Sequence, residues 1–122
     1  MALFDVKPKN KPKTSTQDTI FVTPEKLMVS ELNIARLIQR RRLQVLVHSC
    51  IYYELNENIV SDSTWSRWAT ELVELQNKYP EIASRVCYAE AFKDFDASTG
   101  AFLPLRDSWV MSKALYLLRI QN

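Results

Sequence analysis

The chain has 122 residues, 47% of them hydrophobic and 25% charged, with a formal net charge of +2. That is the length of one domain and the balance of a globular chain, not of a disordered one. Gly100 is the one glycine, so strands and tight hairpins are disfavoured and helices joined by short polar turns are expected.

Residues 1–18 read as a flexible basic arm. Lys7-Pro8 and Pro12-Lys13 block helix, and Thr14 to Asp18 is polar. Lys7, Lys9, Lys11 and Lys13 stand there against Asp5, which permits a weak nucleic-acid contact. The remainder is close to neutral. Residues 19–122 are expected to form one small helical domain. Ile20, Phe21 and Val22 make an apolar patch that ends at Thr23-Pro24, an N-cap followed by a first-turn proline. A short helix or turn is expected over 24–28. A long helix, capped by Ser30, is expected to run to about Asn56, with Leu32, Ala35, Ile38, Leu43, Leu46, Val47, Cys50 and Ile51 at helical spacing. Arg40, Arg41 and Arg42 interrupt that stripe. Successive helical residues point about 100° apart, so the run cannot form one flat patch. It is expected as a solvated face or a helix C-terminal counter-charge, with a phosphate or partner contact as the other reading.

A turn at Asn56-Glu57-Asn58 leads to a second helix, about Ser63 to Lys78, capped by Ser61 or Asp62. Its stripe is Trp65, Trp68, Ala69, Leu72 and Leu75. The two helices form a hairpin over about 30–79. Tyr79-Pro80 punctuates, and a third helix is expected from Pro80 to about Phe92 with Ile82, Val86, Cys87 and Ala89. Lys93 to Asp107 reads as a loop, with Gly100 at a turn requiring positive φ. Asp107 or Ser108 is expected to cap a last helix to about Arg119, where Val110, Met111, Ala114, Leu115, Leu117 and Leu118 are mostly core.

The chemistry is narrowed by what is missing. The sequence has no GxxxxGK[ST], GxGxxG or HExxH, and one histidine, His48. Phosphate loops, histidine-based metal sites and most nucleophile–histidine arrangements are thereby nearly excluded. Cys50 and Cys87 lack CxxC spacing, so no metal site is expected. No apolar run opens the chain or approaches the ~20 residues that span a bilayer. A cytoplasmic protein with reduced thiols and no membrane contact is expected, although a disulfide is possible on paper.

One stretch is more specific. His48, Tyr52-Tyr53, Ile59, Asp62, Trp65, Arg67, Glu71-Leu72, Leu75 and Tyr79-Pro80-Glu81 fall in one ungapped register. This string resembles the helical hairpin that opens NAD-dependent DNA ligases, whose N-terminal domain recognises the nicotinamide mononucleotide (NMN) half of NAD. The resemblance covers roughly a third of the chain. It implies an all-α domain and a ligand that is NMN or NAD. By resemblance, Tyr52 and Tyr53 would flank the nicotinamide ring, Asp62 would accept hydrogen bonds from the ring or its ribose, and Trp65 would supply a stacking face. His48 stands one turn before Tyr52. A cationic pyridinium suits aromatic faces and a nearby carboxylate. Other roles remain open: Asp62 is placed as an N-cap, the aromatics can pack the hairpin, as is expected of Trp68, and His48 can be a satisfied, partly buried histidine.

Two departures bear on that reading. Trp65 stands where the family usually has Tyr. Ser66 stands where it has Asp, which removes one of two carboxylates. The family's nucleotidyltransferase motif, Lys-x-Asp-Gly, is absent, and Lys93-Asp94-Phe95-Asp96 only superficially matches it. The expectation is therefore a non-catalytic binding module and not an enzyme. Phe92 to Gly100, with Leu103-Pro104 and Trp109, resembles small ligase-related proteins of phages and prophages of Gram-positive bacteria. In that setting the hairpin would serve as scaffold for a protein that inhibits or modulates a host enzyme or defence system. Asp94, Phe95, Asp96, Arg106 and Trp109 would then supply a lid or partner surface, unless the segment is a packed loop anchored by its aromatics.

Overall fold

A computed structural model describes residues 24–121, with side chains from residue 29 onward. The expected arm over 1–18, the Ile20-Phe21-Val22 patch and the Thr23 cap lie outside the described residues. The fold is all-α. Helix α1 spans Pro24–Tyr53, α2 spans Asp62–Lys78, α3 spans Pro80–Ala83 and α4 spans Ser108–Gln121. There is no strand among the described residues.

Helix α1 is one continuous helix of 30 residues, about 45 Å long. Ser30 lies inside it and is not a cap. Pro24 stands at its first position, where a missing N–H costs nothing. The two halves of α1 differ. Val29 and Leu32 in the N-terminal half are exposed, whereas every residue from Gln44 to Ile51 is buried. A helix segment buried on all sides must be surrounded. Here α2 lies against one flank, α4 against another, and the segment 84–107 closes the rest. Asn56 ends the α1 run with φ 59°, and Glu57 N–H donates to Ile51 O at 3.0 Å. This is a left-handed C-terminal closure in which asparagine takes the place of the usual glycine.

Ser61 caps α2. Its backbone is extended and its Oγ accepts from Thr64 N–H at 3.1 Å. Trp68, Ala69 and Leu72 then face α1 and are buried. Asp107 caps α4, its Oδ1 accepting from Trp109 N–H at 3.0 Å and Val110 N–H at 3.3 Å. Val110, Ala114 and Leu117 are buried on α4, while Leu115 is exposed.

The third helix is far shorter than expected. It ends at Ala83, and residues 84–94 continue as turns, with Tyr88 at φ 66°. Arg42 holds this segment, and it is buried and not solvated. Its guanidinium donates to Ala83 O at 2.9 Å and to Val86 O and Cys87 O at 3.0 Å each. Nε donates to Gln76 Oε1 at 2.9 Å, and Gln76 Nε2 donates to Phe92 O at 3.1 Å. Three carbonyls at and just beyond the end of α3 thus accept from a cation on α1. Burial pushes the Arg42 guanidinium down to about 10, so it stays charged at neutral pH. Arg41, by contrast, pairs with Glu71 at 3.2 Å and donates to Gln44 Oε1 at 2.6 Å.

Candidate functional site

The end of α1, the α1–α2 connection, the first turn of α2 and one turn of the 84–107 segment enclose a cavity of about 220 Å³. That is below the ~300–1,000 Å³ of a drug-sized pocket and suits a ring with part of a sugar. Tyr52 and Tyr53 lie at the end of α1, where the helix emerges from the core, and are 53% and 45% exposed. Their rings meet edge to face at 4.8 Å. His48, one turn earlier, is buried and lies 5.3 Å from the Trp68 ring at a tilted angle. All three line the cavity, as do Asp62 and Trp65. The five residues singled out for nucleotide recognition thus surround one space.

The first turn of α2 is built so that its two acceptors are separated. Ser61 is the cap, and Asp62 is the first helical residue. Its side chain is not the cap acceptor, and the positive end of α2 favours a carboxylate there. Trp65 is anchored: its Nε1–H is within reach of Ser49 Oγ at 3.2 Å and Val45 O at 3.4 Å on α1. The Phe95 ring meets it edge to face at 6.4 Å. Ser66 also lines the cavity.

Sequence reasoning missed the remaining wall. Ser98 and Thr99 reach the cavity from a turn far along the chain. The Tyr53 and Thr99 hydroxyls share a hydrogen bond of 3.0 Å. Asp96 Oδ1 accepts from Ser98 N–H at 3.0 Å and from Ser98 Oγ–H at 2.6 Å, and these bonds hold its carboxyl below the usual range. An Asp-x-Ser sequence is a local signal for such a turn. Gly100 does not have the positive φ expected of it; Ala97 takes that conformation at φ 73°. The glycine is needed for close approach instead. A Cβ there would collide with Ser49 Oγ and lie 2.9 Å from Ser49 Cβ. Gly100 therefore seats the turn against α1 beside the cavity.

The residues expected as a lid or partner surface are not gathered together by their contacts. Phe95 is buried between Trp65 and Phe92, an anchor with no surface to offer. Asp96 shapes the turn. Arg106 pairs with Glu54 at 3.1 Å, and Trp109 lies under Lys113 at 5.8 Å. Asp94 is exposed. Cys50 and Cys87 are both free, the first buried and the second exposed. No group of three or more His, Cys, Asp or Glu among the described residues is placed to hold a metal ion. No described helix is long and apolar enough to cross a membrane.

The fold and cavity define a small helical-hairpin domain with an aromatic, carboxylate-bearing recess. A DNA ligase of Pseudothermotoga lettingae is 36% identical to the chain over 52 residues. That stretch is 43% of this chain and 8% of the ligase. No family model and no solved structure matches the chain.

Proposed function

We propose that the chain is a non-catalytic module that binds a nicotinamide nucleotide, a stand-alone relative of the N-terminal domain of NAD-dependent DNA ligases and of phage or prophage origin. The observation that carries this reading is the convergence of Tyr52, Tyr53, Asp62, Trp65 and His48 on one cavity, with capping assigned to Ser61 and not to Asp62. Aromatic faces next to a single carboxylate suit a cationic pyridinium. The similarity to a ligase supports the ancestry. The phage origin rests on the Phe92–Gly100 sequence.

Titration with NMN, followed by tryptophan fluorescence, tests this. Trp65 lies in the cavity wall, so occupancy is expected to change its emission. Tyr52→Ala is expected to weaken binding at least ten-fold. No spectral change at millimolar NMN, or unaltered binding by Tyr52→Ala, overturns the reading.

A second reading is favoured by one feature of α4. Trp109, Tyr116 and Ile120 are exposed and fall on one helix face, with Lys113 over both aromatic rings. Exposed apolar stripes mark partner surfaces, so the chain would modulate a host protein and use the hairpin as scaffold. A stoichiometric partner lost on Trp109→Ala and Tyr116→Ala, but retained on Tyr52→Ala, would favour it.

A further inference from the structure

We propose that an apolar groove beside the N-terminal half of α1 is the seat of this chain's own Ile20-Phe21-Val22 segment, folded back along the helix it precedes. The groove is separate from the cavity at Tyr52 and larger, about 440 Å³ against about 220 Å³. Val29, Leu32 and Ala35 on α1 form one wall, and Ile82 on α3 with Val86 just beyond it forms the other. Val29 and Leu32 are 56% and 50% exposed, although the same helix is buried from Gln44 to Ile51. Large aliphatic side chains clustered in an open groove mark a surface that something covers.

Reach and charge select the occupant. The residues before α1 read Thr19-Ile20-Phe21-Val22-Thr23, an uncharged apolar triplet between threonines. A helical rise of 1.5 Å per residue places Val29 about 7.5 Å and Leu32 about 12 Å along the axis from Pro24. An extended chain covers about 3.3 Å per residue, so a chain that reverses at Pro24 carries Val22 back about 7 Å and Ile20 about 13 Å. Val22 then falls opposite Val29, and Ile20 opposite Leu32. Successive side chains of an extended segment point to opposite sides. Ile20 and Val22 therefore meet the α1 wall, and Phe21 meets Ile82 and Val86.

The remaining lining residues, Glu31 and Arg85, carry opposite charges. The groove thus suits an uncharged segment better than the lysine-bearing residues 7–13 further upstream. A second copy of the chain would have to reach the groove by diffusion. A segment joined by a short link acts at an effective concentration on the order of millimolar. Seated there, it would hold the part of α1 that is otherwise packed on least, and it would do so whatever the cavity at Tyr52 binds.

NMR on the full chain, with Val, Leu and Ile methyl groups labelled, reads the contact directly. Cross-relaxation is expected between the Phe21 ring and the methyl groups of Ile82 and Val86. It is expected to remain within one molecule when labelled and unlabelled chains are mixed. Contacts seen only between differently labelled chains assign the groove to a second copy and overturn the proposal. The absence of any such contact overturns it as well. Phe21→Ser is expected to speed amide exchange over residues 29–35 at least ten-fold more than over residues 44–51. Equal effects on the two stretches would mean that the segment does not cover α1. Leu32→Asp places a charge on the opposite wall and is expected to abolish the Phe21 contacts, with the Trp65–Phe95 contact as the check that the chain remains folded. Phe21 contacts that survive Leu32→Asp in a folded chain overturn the placement along α1.

Discussion

At the scale of single residues, the first turn of α2 divides two roles that a sequence leaves merged. Ser61 and Asp62 are both good cap residues, and spacing alone cannot choose between them. The structure chooses by geometry: Ser61 Oγ accepts from Thr64 N–H. Ser61→Ala is therefore expected to lower stability by about 1 kcal/mol in urea unfolding, the usual loss for a cap. Asp62→Asn removes only the favourable interaction with the exposed end of the helix, roughly 0.5 kcal/mol or less, yet is expected to weaken NMN binding at least ten-fold. If Asp62→Asn proves as destabilising as Ser61→Ala, the carboxylate is serving the helix and not the cavity. Gly100 carries a related lesson. A lone glycine in a polar loop suggests a positive φ, but the residue is present because Ser49 lies where its Cβ would be. That reason involves a helix about fifty positions away in the chain, so no local pattern could have shown it.

At the scale of elements, the hairpin and the last helix follow from periodicity, because their stripes face partners that bury them. The third helix does not. Its residues Ile82, Val86 and Ala89 have helical spacing, but the segment turns after Ala83 and its carbonyls at Ala83, Val86 and Cys87 accept from Arg42. The triple-arginine run was legible only as charge. Which of the three turns inward depends on α1 being surrounded, and that is a tertiary fact. Arg42→Ala would leave Ala83 O, Val86 O and Cys87 O without their buried cation and would remove the stacking over Phe92 at 5.8 Å. Hydrogen bonds to a charged group contribute about 1.5–3 kcal/mol, so the loss is expected to reach about 3 kcal/mol or more. Arg42→Lys keeps the charge but not the fork and is expected to fall between the two. The denaturant midpoint measures this. A shift worth less than about 1 kcal/mol for Arg42→Ala would mean that segment 84–94 holds its turns by itself.

At the scale of the whole molecule, α1 is the axis on which everything else rests. The five residues read as a site all come from the hairpin, so they were visible as a motif; the wall at Ser98 and Thr99 was not, because the turn that carries it is brought there by Phe92, Phe95 and Gly100 packing on the hairpin. The two cysteines offer a way to ask whether the domain opens as one unit. Cys87 is exposed, whereas Cys50 is fully buried in α1, with its Sγ 4.0 Å from Met111 Sδ on α4. Burial, and then the charge of Glu54, push the Cys50 thiol up, which further lowers its reactive thiolate fraction. A disulfide reagent is thus expected to modify one thiol rapidly in the native protein. The second should react only through opening that lifts α4 from α1. For a domain with ordinary stability of about 5 kcal/mol or more, that phase should be about three orders of magnitude slower or more. In strong denaturant both thiols should react at similar rates. Arg42→Ala, which loosens a different side of α1, should accelerate the slow phase about ten-fold for each ~1.4 kcal/mol of stability it removes if opening is global. A slow phase indifferent to Arg42→Ala would instead mean that α4 detaches alone, leaving the hairpin and its cavity intact.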